Sequence, residues 1–136
     1  MRIKQVSVFV ENQPGRLVAI LEALERSGIS IRALSISESA EFGIVRMILD
    51  NAEKGLEALR QAGFSARMDW ILSAEIPDVP GGLLNSVGRP LAEAGINLKY
   101  FYAYIEQAAG DKAMVVLKTD DLEKAEQVLK SLWANS

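Results

Sequence analysis

Two Pro-Gly segments carry the groups that could hold a small ligand bearing both a carboxylate and an ammonium. They read Asn12-Gln13-Pro14-Gly15-Arg16-Leu17 and Asp78-Val79-Pro80-Gly81-Gly82-Leu83. Each follows an apolar, strand-like run and precedes a helical run. The open N–H groups at a helix N-terminus favour a carboxylate, while oxygens of Asn12 or Asp78 could accept from an ammonium. The glycines let the backbone approach such a ligand closely.

These segments also have a simpler interpretation. Asn and Asp are favoured at helix N-caps, so Asn12 and Asp78 could act only as caps. Each Pro-Gly could likewise do no more than begin a helix, since proline is well tolerated in the first turn. Capping and ligand binding are compatible, and the sequence leaves both interpretations open.

Two residue types are missing from the chain, which has no cysteine and no histidine. It therefore has no thiolate nucleophile, no cysteine-based metal site, and neither the commonest zinc ligand nor the usual general base near neutral pH. We expect no metal, no cofactor and no catalytic function. A small acid–base enzyme that uses Tyr with Asp or Glu is the residual alternative.

The composition favours a folded protein outside the nucleic-acid-binding and membrane classes. The 136 residues are 49% hydrophobic and 24% charged, which suits a globular core. A formal net charge of −3 argues against a nucleic-acid surface, which is normally basic. No run approaches the roughly 18 apolar residues of a membrane span, and the start Met1-Arg2-Ile3-Lys4 lacks the apolar core of a signal peptide. We expect a cytoplasmic location and no membrane partner.

The two Pro-Gly segments belong to an internal repeat. The first is followed by a helical run and then Gly28-Ile29-Ser30-Ile31, the second by a helical run and then Gly95-Ile96-Asn97-Leu98. A repeat of about 65 to 70 residues is too long for a solenoid unit and suits a duplicated small domain.

The first repeat shows a complete pattern of strands and helices. Strand-like runs and helical patterns alternate in the order βαββαβ, which is the ferredoxin-like arrangement. The second repeat follows the same order, but its last helix, which begins near Leu122, leaves no room for a full final strand. The position of that strand is either vacant or filled from elsewhere. We expect an α+β fold with two ferredoxin-like βαββαβ units in tandem, at 1–68 and 69–136, the second lacking its last strand.

The predicted strand Phe42–Leu49 is apolar on both faces, apart from Arg46. A sheet that is apolar on both sides usually needs a second cover. We therefore expect the repeats to pack on each other or on another subunit, and a homodimer.

The order strand, Asn/Asp-x-Pro-Gly-x-Leu, helix, Gly-Ile-Ser/Asn-Ile/Leu, strand resembles the ACT domain family, twice and over nearly the whole chain. The resemblance implies a protein that binds a free amino acid at a domain interface and regulates amino-acid metabolism. It also implies ligand contacts from both Pro-Gly segments and from the residues after the helix-ending glycines, Ser30-Ile31 and Asn97-Leu98. Because Asp78 and Asn97 combine a countercharge with an amide, the second repeat is favoured as the better site.

Two features of the second repeat have no counterpart in the first. Tyr100, Tyr102 and Tyr104 alternate and so share one face of a strand, where they could pack against another surface or, through Tyr102, line the ligand site. The helical run also contains Pro90 and is one residue longer, so we predict a kink or π-bulge near 86–90.

The leading functional hypothesis is a non-catalytic amino-acid sensor that modulates a partner enzyme in trans. A ligand-free oligomerisation module is one alternative. An RNA-binding module is another, because RRM domains share the βαββαβ order and stack bases on strand aromatics. The acidic charge and the lack of a strand motif rich in Lys and Arg count against RNA.

Overall fold

The two longest strands, β1 (Arg2–Glu11) and β4 (Ser65–Pro77), each contribute to both halves of the fold. In a computed structural model, which describes residues 1–11, 13–38, 42–105 and 110–134, the chain forms two compact units. The first unit is Lys4–Trp70, and the second is Met1–Ile3 together with Ile71–Ser136. The boundary therefore falls within both β1 and β4.

The first unit has the predicted ferredoxin-like order. Between β1 and β4 lie the helix α1 (Arg16–Arg26), the hairpin strands β2 (Ile31–Glu38) and β3 (Phe42–Leu49), and the helix α2 (Ala52–Gln61). The strands lie in the order β2-β3-β1-β4, with β3 antiparallel to both β1 and β2.

Alternation along the strands of the first unit explains its core. Val6 and Val8 of β1 are fully buried and lie opposite Met47 and Val45 of β3. Because successive side chains point to opposite faces, these four residues cover one face of the sheet. They pack with apolar residues of both helices into one core cluster, in which Ile20 and Leu59 are fully buried.

The second unit repeats this order after its own loop. β4 is followed by a π-helical turn (Leu84–Gly88), the helix α3 (Arg89–Glu93), the strands β5 (Leu98–Ala103) and β6 (Lys112–Thr119), and the helix α4 (Leu122–Ala134). β6 pairs antiparallel with β4 and with β5. The core cluster joins Leu72 and Leu117 of the sheet to Leu91 and Leu129 of the helices.

The start of β1 occupies the place of the missing fourth strand of the second unit. The Met1 amine donates to the Ser73 carbonyl at 2.8 Å, and the Ser73 N–H donates to the Met1 carbonyl at 2.7 Å. These reciprocal bonds are those of an antiparallel pair. Arg2 adds two hydrogen bonds to Glu126 of α4, at 2.8 and 3.2 Å. Of the two alternatives, filling from elsewhere is the one that the structure adopts.

The predicted irregularity in the second repeat is confirmed as the π-helical turn Leu84–Gly88, which ends two residues before Pro90. The segment from Gly81 to Gly95 is one residue longer than the segment from Gly15 to Gly28. A π-turn absorbs one extra residue without rotating the rest of the helix. Both helices consequently end in the same way. The N–H of Ile29 bonds the carbonyl of Leu24 at 3.0 Å, and that of Ile96 bonds the carbonyl of Leu91 at 2.8 Å.

None of the helices in the described ranges is long and apolar enough to cross a membrane.

Candidate functional site

The first Pro-Gly loop is a tight turn that leads directly into α1. The Arg16 N–H bonds the Gln13 carbonyl at 3.4 Å, and Gly15 has φ 86° and ψ −9°. These are the features of a type II turn, which favours proline at its second position and requires a glycine-like φ at its third. The first helical bond then runs from Ala19 to Gly15 at 3.0 Å.

The second loop has the same geometry. The Gly82 N–H bonds the Val79 carbonyl at 2.9 Å, Gly81 has φ 81°, and Asn85 bonds back to Gly81 at 2.9 Å. The repeat that the sequence predicts is therefore present at the level of individual hydrogen bonds. One difference is that a Cβ on Gly82 would lie 2.0 Å from the Pro77 carbonyl oxygen.

The N-terminus of α1 is able to bind a negatively charged group. Gly15 occupies the N-cap, no described side chain caps the helix, and its first turn contains no acidic residue. An uncapped first turn leaves backbone N–H groups and the positive end of the helix dipole for a ligand. Asn12, predicted as a cap or a ligand contact, lies outside the described residues.

The remaining predicted loop residues divide into exposed and anchoring positions. Gln13, Pro14, Asp78, Val79, Pro80 and Gly81 are exposed, as a contact surface requires. Leu17 and Ile31 pack against the core of the first unit, and Leu83 and Leu98 against that of the second. These four side chains thus hold the loops and the strand ends in place. Because the side chains point into the cores, a ligand at these positions would meet the backbone.

A cavity of about 390 Å³ lies beside the first loop. Glu11 and Arg16 line it together with Phe9, Phe42 and Phe64. Its volume is within the range of about 300–1,000 Å³ that small-molecule sites occupy. Arg16 was predicted as a site residue, but Glu11 and the phenylalanines were not, because the fold brings them together from separate parts of the chain. Strand pairing, for example, places Phe42 beside Glu11.

The charged pair in this cavity is loose. The Arg16 Nη2 and Glu11 Oε2 atoms are 3.8 Å apart, and the side chains are 45% and 56% exposed. A distance of this size is an ion pair rather than a hydrogen bond, so both groups keep bonding capacity. Arg67 lies over the Phe9 ring, with its guanidinium carbon 5.3 Å from the ring centre, and forms an ion pair with Asp69 at 3.8 Å.

Ser30 and Asn97 are held by a pair of aspartates that sequence analysis missed. The Ser30 N–H donates to the Asp50 carboxylate at 3.0 Å, and the Asn97 N–H donates to the Asp120 carboxylate at 3.2 Å. In both units the aspartate N–H bonds back to the Ser30 or Asn97 carbonyl. The signal was present in the sequence as Asp50-Asn51 and Asp120-Asp121, which stand at the same place in the two repeats.

Within each unit, the Pro-Gly loop and the Ser30 or Asn97 position lie at opposite ends of the sheet. Pro77 is paired with Lys112 at one end of β6, whereas Leu98 is paired with Thr119 at the other. Seven residues of extended strand span about 23 Å. The prediction that Asp78 and Asn97 combine into one polar pair is therefore wrong for a single unit.

The tyrosine face is a packed surface in part. The Tyr100 and Tyr102 rings are stacked, with centroids 6.5 Å apart and an interplanar angle of 22°. Tyr102 is only 9% exposed. The ring that was predicted as a possible wall of the ligand site is therefore mostly removed from solvent.

Side chains that could bind a metal ion were sought in the described ranges. Within them, no group of three or more His, Cys, Asp and Glu residues is arranged to hold a metal ion.

Comparisons with known proteins agree with this architecture. The chain matches the family described as an ACT domain pair over residues 1–132. Protein BT0572 from Bacteroides thetaiotaomicron is similar in structure, with a TM-score of 0.88 and 34% identity over 98% of this chain and 90% of that chain. The comparison with curated proteins found no match.

Two regulatory subunits of aspartate kinase share the fold. The ligand-free subunit from Thermus thermophilus has a TM-score of 0.68 and 20% identity over 96% of this chain and 91% of that chain. The subunit from Thermus flavus has a TM-score of 0.58 and 18% identity over 96% and 92% of the respective chains.

The duplicated turns, the duplicated Asp contacts and the extent of the family match confirm the resemblance and the tandem ferredoxin-like α+β fold. The chain belongs to the ACT domain family, as an ACT domain pair.

Proposed function

We propose that this ACT domain pair is a non-catalytic regulatory protein that binds a free amino acid at the Pro-Gly loop of its first unit and modulates a partner enzyme of amino-acid metabolism. One observation carries the proposal. In a cavity of about 390 Å³, Glu11 and Arg16 stand 3.8 Å apart beside three phenylalanines and a helix N-terminus that no described side chain caps.

The charges of this cavity complement those of an amino acid backbone. The Arg16 guanidinium and the first-turn N–H groups of α1 would bind the α-carboxylate, and the Glu11 carboxylate would accept from the α-ammonium. An exposed ion pair contributes only about 0–1 kcal/mol, so a ligand can replace the Glu11–Arg16 contact at little cost.

The apolar part of the cavity indicates the class of side chain. Phe9, Phe42 and Phe64 supply aromatic surface beside the charged pair. Aromatic rings favour edge-to-face and offset contacts with other rings, and bury aliphatic groups equally well. We therefore propose an amino acid with a large apolar or aromatic side chain.

A second copy of the chain would complete the site. Within a unit, about 23 Å of strand separates the loop from Ser30 or Asn97, so one amino acid cannot touch both. If Ser30 or Asn97 contacts the ligand, it comes from a different unit, and a homodimer of this cytoplasmic protein would supply one. Binding would then favour one dimer arrangement over another, and the partner enzyme would respond to that change.

Similarity of fold is the support for the proposal that this protein acts on a separate partner enzyme. Two of the similar structures are, by name, regulatory subunits of aspartate kinase. They show that tandem units of this kind occur as subunits of an enzyme.

One alternative, a ligand-free oligomerisation module, is favoured by exposed apolar side chains in the first unit. Val18, Ile36 and Phe42 are 55%, 55% and 54% exposed. Such residues would be covered if this unit served only as an assembly surface. For the RNA-binding alternative, the burial of Tyr102 removes one of the rings on which a base would stack.

A thermal-shift screen of the full chain against the twenty amino acids tests the proposal. A cognate apolar or aromatic amino acid at a hundredfold excess over its dissociation constant should stabilise the protein by about 2.7 kcal/mol. Arg16→Ala should abolish the response. Arg26→Ala, on the same helix and 4.0 Å from Glu22, is the matched control and should keep it.

Two results would contradict the proposal. If no amino acid changes the unfolding temperature while sedimentation shows a stable dimer, the protein is an assembly module. If Asp78→Ala abolishes the response and Arg16→Ala does not, the second loop rather than the first holds the ligand.

A further inference from the structure

A larger cavity, of about 580 Å³, lies in the second unit, and no residue of either Pro-Gly loop is among its lining residues. It is found where the start of β1 pairs with β4, and α4 forms another of its walls. Four cations and two anions line it: the Met1 amine, Arg2, Lys112, Lys130, Glu75 and Glu126. A cavity of this size is within the range of about 300–1,000 Å³ for small-molecule sites.

Two of these six charges neutralise each other. The Arg2 guanidinium and the Glu126 carboxylate make two hydrogen bonds, at 2.8 and 3.2 Å. The hydrogen bond from Arg2 lowers the pKa of Glu126, so this carboxylate remains ionised. The pair forms a fixed wall of the cavity. The Met1 amine is held by the Ser73 carbonyl, so the charged side chains that are left are those of the other three residues.

The side chains of Lys112, Lys130 and Glu75 make no hydrogen bond or ion pair with another described residue. Glu75 lies opposite Met114 in the β4–β6 pairing, and Lys112 lies two residues from Met114 on the same face. Such diagonal neighbours are about 7–8 Å apart. Lys130 follows Glu126 by one helical turn and so projects from the same face of α4.

We infer that this cavity is a second binding site, for a small molecule that carries two carboxylates and one ammonium, which is the charge pattern of an acidic α-amino acid. Lys112 and Lys130 each bind one carboxylate. Glu75 accepts from the ammonium, and the apolar surface of Met114, which lies opposite Glu75, contacts the methylene groups. The site shares no residue with the cavity at the first loop, so the two can be tested separately.

The test is an NMR titration of the ¹⁵N-labelled full chain with L-glutamate, L-glutamine and glutarate at low ionic strength. L-Glutamate should shift the amides of Glu75, Lys112 and Lys130 and bind more tightly than L-glutamine, which has one carboxylate fewer. It should also bind more tightly than glutarate, which lacks the ammonium. Because the lysines are exposed, added salt should weaken the binding.

Substitutions assign the three charges. Lys112→Gln and Lys130→Gln should each weaken L-glutamate binding about fivefold, the upper range for an exposed ion pair. Glu75→Gln should remove the preference for L-glutamate over glutarate. Lys124→Gln is the control, because it removes a lysine from α4 that does not line the cavity.

Equal binding of L-glutamate and L-glutamine would overturn the inference, as would equal losses for Lys112→Gln and Lys124→Gln. A titration with no shifts at these amides would also overturn it. Arg16→Ala separates this site from the proposed amino-acid site at the first loop. It should leave the L-glutamate titration unchanged even if the first-loop site proves to bind nothing.

Discussion

The glycines of the two Pro-Gly loops look interchangeable in sequence but meet different constraints. Gly15 needs its glycine because φ is 86°, yet a Cβ there would have no neighbour within 4 Å. Gly82 has no such φ, but its Cβ would collide with the Pro77 carbonyl oxygen. One position is governed by backbone conformation and the other by close approach of two chain segments.

Substitution by alanine should separate these two constraints. Gly15→Ala should lower the free energy of unfolding by about 1–2 kcal/mol, the cost of a left-handed conformation for a residue with a Cβ. Gly82→Ala should lower it by about 3 kcal/mol or more, because a backbone oxygen cannot move aside as a side chain can. Urea denaturation of both variants measures the difference, and equal losses would contradict the steric argument.

The Arg2–Glu126 ion pair predicts a dependence of stability on pH. The pKa of Glu126 is lowered in the folded protein by the hydrogen bond from Arg2. A carboxyl with a lowered folded pKa stabilises the protein above its ordinary pKa, and this contribution is lost as the pH falls through the folded value. Stability should therefore fall in acid, and Glu126→Gln should make this loss of stability smaller.

The measurement is urea denaturation from pH 7 to pH 3. Glu93→Gln, which removes a carboxyl without an ion pair among the described residues, should leave the slope unchanged.

At the scale of elements, the π-helical turn Leu84–Gly88 shows how one added residue can be tolerated. An ordinary α-helix advances 100° per residue, so an insertion would rotate Leu91 out of the core. The wider turn takes up the additional residue before Leu91, which is only 2% exposed. The insertion is therefore confined to one turn, and the end of the helix is the same as in the first unit.

Deleting Asn85, an exposed residue of this turn, should restore a regular helix with the same apolar face. We expect a change in unfolding free energy of less than about 1 kcal/mol, because the core contacts are kept. Deleting the exposed Glu22 from the regular helix α1 is the matched control. It should cost about 3 kcal/mol or more, since half the helix then turns its apolar face from the core. Similar losses from the two deletions would show that the π-turn is not a one-residue insertion.

At the scale of the whole molecule, the second unit depends on the first residues of the chain. Met1–Ile3 are far from Ile71–Ser136 in sequence but belong to the same compact unit. On the side of β4 that faces away from β6, Ser73 is paired with Met1, and no other described residue pairs with it there. The sequence of the second repeat, taken alone, is therefore not a complete ferredoxin-like unit.

Removing Met1–Ile3 should loosen the second unit selectively. Two backbone hydrogen bonds at Ser73 are lost, each with a net contribution of about 1 kcal/mol. Hydrogen exchange at the Ser73 amide should then accelerate by about 30-fold, whereas the amides of Val45 and Met47 in the first unit should be little affected. Arg2→Ala, which removes only the ion pair, should give a smaller acceleration. Equal acceleration in both units would contradict a selective role.

Much of this architecture was predictable because its signals are local. The type II turns follow from Pro14-Gly15 and Pro80-Gly81, and the helix ends follow from Gly28 and Gly95. The π-turn follows from one extra residue before a proline. Each of these features depends on residues a few positions apart, so the order of residue types is sufficient to predict it.

The sequence by itself therefore determined two duplicated units, their turns and the missing final strand. Only the tertiary structure decided that Met1–Ile3 fill that strand's place, that Glu11 and Arg16 share a cavity with three phenylalanines, and that Asp78 and Asn97 do not meet. The reason is that strand pairing joins residues far apart in the chain, and register places one end of a strand beside a particular partner. Composition and spacing identify which residues can bind a ligand, but pairing decides which of them lie side by side.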